Sequence, residues 1–228
     1  MKTLIIDNTL DVDSWGASNL CSFVTRSKER SAFVRRAPHD DLPGNILGYD
    51  RLILSGSRTS CLETGSWISN LDLLIRQALD AGKPILGICY GHQALNRVIG
   101  GAESLARSAT GEFGWTEIEV IGDAPLFRGL PSRFFSFSSH FEEVTRLVPG
   151  MKRIASSPDC SIQACQMEGR PVYGIQFHPE KDLSSAEKTI LAWKKGKSAR
   201  WISRASESAK LYDPSVGEKI FENFFEEK

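Results

Sequence analysis

The feature that most constrains this chain is the run Gly87-Ile-Cys-Tyr-Gly-His-Gln93, set between an apolar stretch and a helical pattern. Pro84-Ile-Leu-Gly-Ile88 reads as a buried strand, and Gln93 to Ile99 begins a helix. A strand that turns this sharply into a helix holds its central residue, Cys89, in a strained conformation and exposes the side chain at the tip. Glycine two residues away on each side leaves room for the close backbone approach that such a turn requires. The helix that follows sets its positive end beside Cys89, which favours a thiolate. The amide N–H of Tyr90 points toward where an oxyanion would develop.

The remaining pattern supplies the sheet that this turn needs. Lys2-Thr-Leu-Ile-Ile-Asp7 and Tyr49-Asp-Arg-Leu-Ile-Leu54 are buried-strand candidates, the second closed by Ser55-Gly56-Ser57. Residues 14 to 30 are expected to form a helix with Leu20, Phe23 and Val24 on one face. A second helix runs from Trp67 to Ala81, with Leu71, Leu74, Ile75 and Leu79 at helical spacing and Gly82 at its end. This strand–helix order implies right-handed crossovers and a largely parallel sheet. The second half changes character. Gly114 to Ile121 and Phe134 to Phe137 alternate, and Cys160 to Met167 and Val172 to Phe177 read as strands. Turns are expected at Pro149-Gly150 and Glu168-Gly169. Ser184 to Trp193 and Val216 to Phe225 look helical, and the basic stretch Lys194 to Arg204 between them reads as a solvated face or loop. With no repeat and no clear linker, residues 1–228 are expected to form one α/β domain, 183–228 being its helical C-terminal extension.

Gln176-Phe-His-Pro-Glu180 follows the last strand. Side chains two apart on extended backbone point the same way, and Pro179 biases His178 toward that geometry. His178 and Glu180 can therefore lie side by side, the carboxylate fixing the imidazole tautomer while the other ring nitrogen faces a thiol. Cysteine first, with histidine and glutamate far downstream, is the order expected of a cysteine acyl-transfer enzyme.

Together these residues resemble the class I, triad-type glutamine amidotransferases, whose two signatures are the elbow around Cys89 and the Gln176 to Glu180 segment. Leu54-Ser-Gly-Ser57, Glu112-Phe-Gly-Trp115, Ser138-Ser-His140 and Tyr173-Gly-Ile-Gln176 extend the likeness over about residues 1 to 183. Its closest flavour is that of free-standing proteins similar to the glutaminase domain of GMP synthase. The resemblance implies an open, mostly parallel, twisted flavodoxin-like sheet flanked by helices, with additional antiparallel strands in the second half. It also implies that Cys89 attacks a glutamine side-chain amide to give a γ-glutamyl thioester. His178 would then protonate departing ammonia and activate water. Gly56 joins Tyr90 as oxyanion donor, and Gln93, Ser57 and the backbone near His140 and Phe141 hold the amino-acid end. One departure stands out: many members carry Gly-Gly-Pro where this chain has Gly56-Ser57-Arg58.

Composition excludes several other classes. The chain has 28 basic and 28 acidic residues among 228, so it lacks the basic excess of a nucleic-acid binder. No apolar run approaches the roughly 20 residues that span a bilayer, and no signal-peptide layout opens the chain, so a cytoplasmic protein is expected. Five scattered cysteines do not make a disulfide framework. A zinc set of Cys89, His92, His140 and His178 is set aside because two of its members have better roles, and no cofactor is implied. Cys160 and Cys165 would face opposite sides of a strand. With no Walker-type loop to activate an acceptor, a biosynthetic role needs a synthetase partner that receives the ammonia. The rivals are an independent γ-glutamyl hydrolase using the same three residues, and a non-catalytic scaffold or regulator with the same fold.

Overall fold

A computed structural model describes residues 1–12, 16–194 and 204–227. In chain order the elements are β1 (Lys2–Asp7), α1 (Ser18–Val24), β2 (Ser31–Arg36), β3 (Arg51–Leu54), α2 (Ser66–Asp80), β4 (Ile85–Ile88) and α3 (Tyr90–Gly100). Then follow β5 (Leu105–Val120), β6 (Arg133–Val144), β7 (Met151–Ser156), β8 (Ala164–Met167), β9 (Val172–Ile175), α4 (Leu183–Lys194), α5 (Ser208–Leu211) and α6 (Pro214–Glu226). The nine strands form one mixed sheet in the order β2-β1-β3-β4-β9-β8-β7-β5-β6. The five strands from β2 to β9 are parallel, and the pairings onward from β9 to β6 are antiparallel.

Alternation along the parallel strands divides one apolar run between two helical layers. Ile5, Ile53, Leu86 and Ile88 face α1 and α6, meeting Leu20, Phe23, Ile220, Phe221 and Phe224. Leu4, Ile6, Leu52, Leu54 and Ile85 face α2 and α3, meeting Leu71, Leu74, Ile75 and Leu95. The C-terminal helix starts at an Asp213 cap with Pro214 in its first turn. At its far end the buried Arg51 guanidinium donates to the carbonyls of Phe224, Phe225 and Glu227, anchoring α6 to β3. Among the described residues no helix is long and apolar enough to cross a membrane.

Several elements differ from the sequence expectation. Of the helix expected over 14–30, residues 14 and 15 lie outside the described residues and the described part holds α1 alone, while Ser31–Arg36 forms the parallel edge strand β2, whose side chains are mostly half-buried. Strand β5 begins already at Leu105 rather than Gly114, β6 runs on to Val144, and β7 was not anticipated. The strand expected over Cys160–Met167 starts only at Ala164. Cys160 sits in a turn closed by Ser157, so strand alternation does not relate it to Cys165. Helix α3 starts at Tyr90, directly after Cys89, rather than at Gln93. Most of the basic stretch, including Lys195, Lys197 and Arg200, lies outside the described residues, whereas Arg204 places its guanidinium 4.8 Å from the centre of the Phe135 ring.

Candidate active site

Cys89 joins β4 to α3 with φ 50° and ψ −106°, a left-handed conformation uncommon for a residue with a side chain. Such strain costs about 1–3 kcal/mol and persists only where its surroundings impose it. Here the Cys89 N–H donates to the Ile175 carbonyl of β9 at 2.8 Å, and the Cys89 carbonyl accepts from the Gln93 N–H at 3.0 Å. Both flanking glycines are needed. A Cβ on Gly87 would lie 2.5 Å from the Gly91 carbonyl oxygen, and one on Gly91 would collide with the Leu54 carbonyl. The thiol itself faces the Ser139 carbonyl oxygen at 3.8 Å.

His178 follows β9, and its N–H donates to the Phe137 carbonyl at 2.7 Å, pinning the segment to β6. Its Nδ1 meets Glu180 Oε1 at 2.7 Å. Burial alone would lower the imidazole pKa, but the Glu180 carboxylate and then the Cys89 sulfur outweigh it, so His178 is raised above its ordinary range. Burial would raise Glu180, and the facing imidazolium reverses this, holding the carboxyl low. The Glu180 carbonyl accepts from the Asn19 side-chain amide at 2.9 Å. Gly217 of α6 packs so closely on the Pro179 carbonyl that a Cβ there would collide with it. Gly56 borders both reactive side chains: a Cβ on it would lie 2.9 Å from His178 Cε1 and 3.5 Å from Cys89 Cβ. Cys89, His178, Glu180 and Gly56 are thus brought together at one point of the fold.

The other expected residues divide into those facing the site and those committed elsewhere. The Gln93 side-chain amide donates to the Glu142 carbonyl at 2.7 Å and to Gln176 Oε1 at 3.1 Å. Phe141 is half-exposed and stacks on Trp193 at 5.3 Å. Ser57 Oγ donates to Thr59 Oγ1 at 3.1 Å. The His140 ring is held between Glu112 Oε2 at 2.8 Å and the Glu142 carbonyl at 3.2 Å. The phenol of Tyr90 is buried beside Trp67, and burial pushes it up to about 12. His92 is wholly buried, where desolvation and then His140 push it down to about 3, and Gly174 leaves the space its ring fills.

Two clefts adjoin at this point. One of about 500 Å³ is bordered by Cys89, Gln93, Arg107, Phe141 and Trp193. The other, about 450 Å³, is bordered by Gly56, His178, Glu180 and Lys181. Ser57, Arg58, Ser139 and Thr189 border both. Arg107, Thr189 and Trp193 were not anticipated as site residues. Arg107 lies on a stretch of β5 that alternation did not reveal, and α4 reaches the site only through tertiary packing. Glu112 was noted only within a motif, yet it accepts hydrogen bonds from Ser157 and Gln163 as well as contacting His140.

A family model described as glutamine amidotransferase class-I matches residues 12–195. The chain belongs to this family of cysteine-dependent glutamine amidotransferases. It is 43% identical over 129 residues to a glutamine-hydrolyzing GMP synthase of Aeropyrum pernix, a match covering 57% of this chain and 24% of that protein. It is 43% identical over 97 residues to one subunit of the glutamine-hydrolyzing GMP synthase of Thermococcus kodakarensis, covering 42% of this chain and 50% of that protein. These matches span half or less of each relative's length. Among solved structures, a glutamine amidotransferase of Thermotoga maritima superposes with a TM-score of 0.78 at 24% identity, covering 99% of this chain and 98% of that one. Another, from Methylobacillus flagellatus, gives 0.82 at 21% identity, covering 98% and 94%. Likeness at these identities speaks for the fold alone.

Proposed function

We propose that this chain hydrolyses the side-chain amide of glutamine through a thioester on Cys89. The observation that carries the reading is the strained Cys89 beside His178, whose Nδ1 is held 2.7 Å from a buried carboxylate. Cys89 Sγ attacks the amide carbon with its proton already held by His178. The backbone N–H groups of Gly56 and Tyr90 receive the oxyanion. The C–N bond breaks as His178 gives its proton to the departing nitrogen, releasing ammonia, and a water activated by His178 then cleaves the thioester to glutamate. Glu180 orients the imidazole and stabilises its charged form. Gln93, Ser57 and the backbone at His140 and Phe141 hold the amino-acid end, and Arg107 supplies positive charge for its carboxylate.

The ammonia is proposed to pass to a partner synthetase, by analogy with relatives named as one subunit of GMP synthase. Residues 183–227 belong to the same domain in this reading, since α4 borders the substrate cleft and α6 supports Pro179. We infer a cytoplasmic location, a reading that the five free thiols support. The test is release of ammonia and glutamate from L-glutamine by the purified chain. Turnover that disappears with alkylation of Cys89 is expected, and turnover indifferent to it would sink the proposal.

A further inference from the structure

We propose that Arg97 is a positioning residue for the reaction: it ties the loop carrying Gly56 to the helix carrying the Tyr90 N–H, and so sets the spacing of the two oxyanion donors. The inference rests on the thioester chemistry proposed for Cys89.

The two donors belong to different elements. Gly56 lies in the loop that follows β3, and Tyr90 is the first residue of α3. Donors stabilise an oxyanion only when they are already aimed at its position, so the placement of loop against helix enters the barrier directly. The loop is fixed where it begins. Asn8 donates from its backbone N–H to Ser55 Oγ at 2.9 Å and from its side chain to the Ser55 carbonyl at 2.8 Å. The start of α3 rests on the same strand end, since a Cβ on Gly91 would collide with the Leu54 carbonyl.

Arg97 closes the other end. It follows Tyr90 by seven residues, two turns along the same face of α3. Its Nη1 donates to the Cys61 carbonyl at 3.0 Å, where the loop finishes. Its Nε and Nη2 grip the Asp72 carboxylate of α2 at 3.1 and 2.7 Å. From β6, the Glu142 carboxylate accepts from the Cys61 N–H at 2.8 Å and from Ser60 Oγ. Cohesion alone does not call for a guanidinium here, since apolar residues of similar size often match the stability of a buried ion pair. What they lack is a donor for the Cys61 carbonyl. Arg97 is not among the residues bordering either cleft, so its effect on turnover passes through the loop.

The experiment measures kcat and KM for L-glutamine, inhibition by glutamate γ-semialdehyde, and inactivation by iodoacetamide, in the parent chain and in Arg97→Met. The substitution keeps the length of the side chain. It should lower kcat about tenfold, less than the roughly 10²–10³-fold cost of removing a donor. KM should stay within about twofold. Inhibition by the semialdehyde should weaken by a similar factor to kcat, because its hemithioacetal with Cys89 places an oxygen where the oxyanion forms. Iodoacetamide loses iodide without forming an oxyanion, so its reaction with Cys89 should keep the parent rate. Adding Asp72→Leu restores an apolar contact between α2 and α3. Urea unfolding should then recover toward the parent while kcat stays low. An unchanged kcat, a kcat that recovers with stability, or slowed alkylation would each overturn the inference while leaving glutamine hydrolysis intact. A parent chain that releases no glutamate would remove the Cys89 reading and this inference with it.

Discussion

The parallel and antiparallel halves of the sheet bring different things to the site. Strands β4 and β9 are parallel neighbours, paired from Ile85 with Val172 to Ile88 with Ile175. Both therefore end at one edge, and Cys89 and His178, each just past its strand, meet there although most of the second half separates them in sequence. The antiparallel half sends Ser139, His140 and Phe141 from β6 and Arg107 from β5 as walls. Its support is the pairing of β5 with β6, reinforced by a buried polar group around Glu112, the register partner of His140. In the proposed reaction the parallel half holds the reacting atoms and the antiparallel half holds the substrate. Damage to the first should appear in kcat, and damage to the second in KM.

The largest effect expected is that of Cys89→Ala, a loss of about 10⁴-fold or more in kcat for glutamine, read by glutamate release. Near-normal turnover in that variant would remove the chemistry from the parallel edge altogether. Glu180→Gln should cost roughly 10²-fold, because an orienting group contributes less than the nucleophile. It should also change the pH profile in one direction. The carboxylate holds His178 high against the effect of burial, so its removal lets burial prevail, and the alkaline limb of kcat/KM moves to lower pH. The stability signs are opposite for the two partners. His178, raised on folding, stabilises fully below its unfolded value near 6.5 and loses this as pH rises through the folded value. Glu180, lowered on folding, stabilises above its unfolded value near 4.3 and loses this as pH falls. Thermal unfolding across pH should lose both dependences in Glu180→Gln, and an unchanged profile would separate the carboxylate from the histidine.

The same division governs what the sequence makes legible. Every core parallel strand is a compact apolar run, and the elbow is written locally, since Gly87 and Gly91 are required by the backbone contacts of one tight turn. The extended pairing of His178 with Glu180 is equally local. By contrast, Ser31–Arg36 joins the sheet as an edge whose side chains are mostly half-buried, and only the short apolar run Ala32-Phe-Val34 marks it. The register of β5 with β6 shifts between Arg107 and Glu112, which breaks the alternation that would have extended β5 back to Leu105. Strand β7 is set by antiparallel pairing with β8, and the turn at Cys160 by the Ser157 side chain three residues earlier, contacts that alternation does not reveal. Thr189 and Trp193 become site residues only when α4 docks, which amphipathicity alone cannot locate.

Glu112→Gln sharpens the comparison at an intermediate size. The amide keeps the volume of the side chain but replaces an acceptor that serves Ser157, Gln163 and His140 at once. His140 then holds the Glu142 carbonyl less firmly, and that carbonyl is also what Gln93 grips. KM for glutamine should rise about tenfold with kcat within roughly threefold, the pattern of lost uniform binding. A fall in kcat at constant KM would show that the polar group acts on the reacting atoms, and the proposed division between the halves would fail.

The smallest effect expected lies where α4 meets the antiparallel wall. Trp193 stacks on Phe113 at 4.6 Å and on Phe141 at 5.3 Å, so one ring fastens the helix to β5 and β6 beside the Cys89 cleft. Each such stack is worth about 0.5–1.5 kcal/mol beyond its buried area. Trp193→Leu keeps an apolar side chain but loses both stacks, which should lower stability by about 1–2 kcal/mol. KM for glutamine should rise about threefold, because the wall beside the Cys89 cleft loosens. Urea unfolding and steady-state kinetics on one preparation separate the two effects. If stability falls while KM stays fixed, α4 is a cover packed on the aromatic cluster, and recognition rests on β5 and β6 alone.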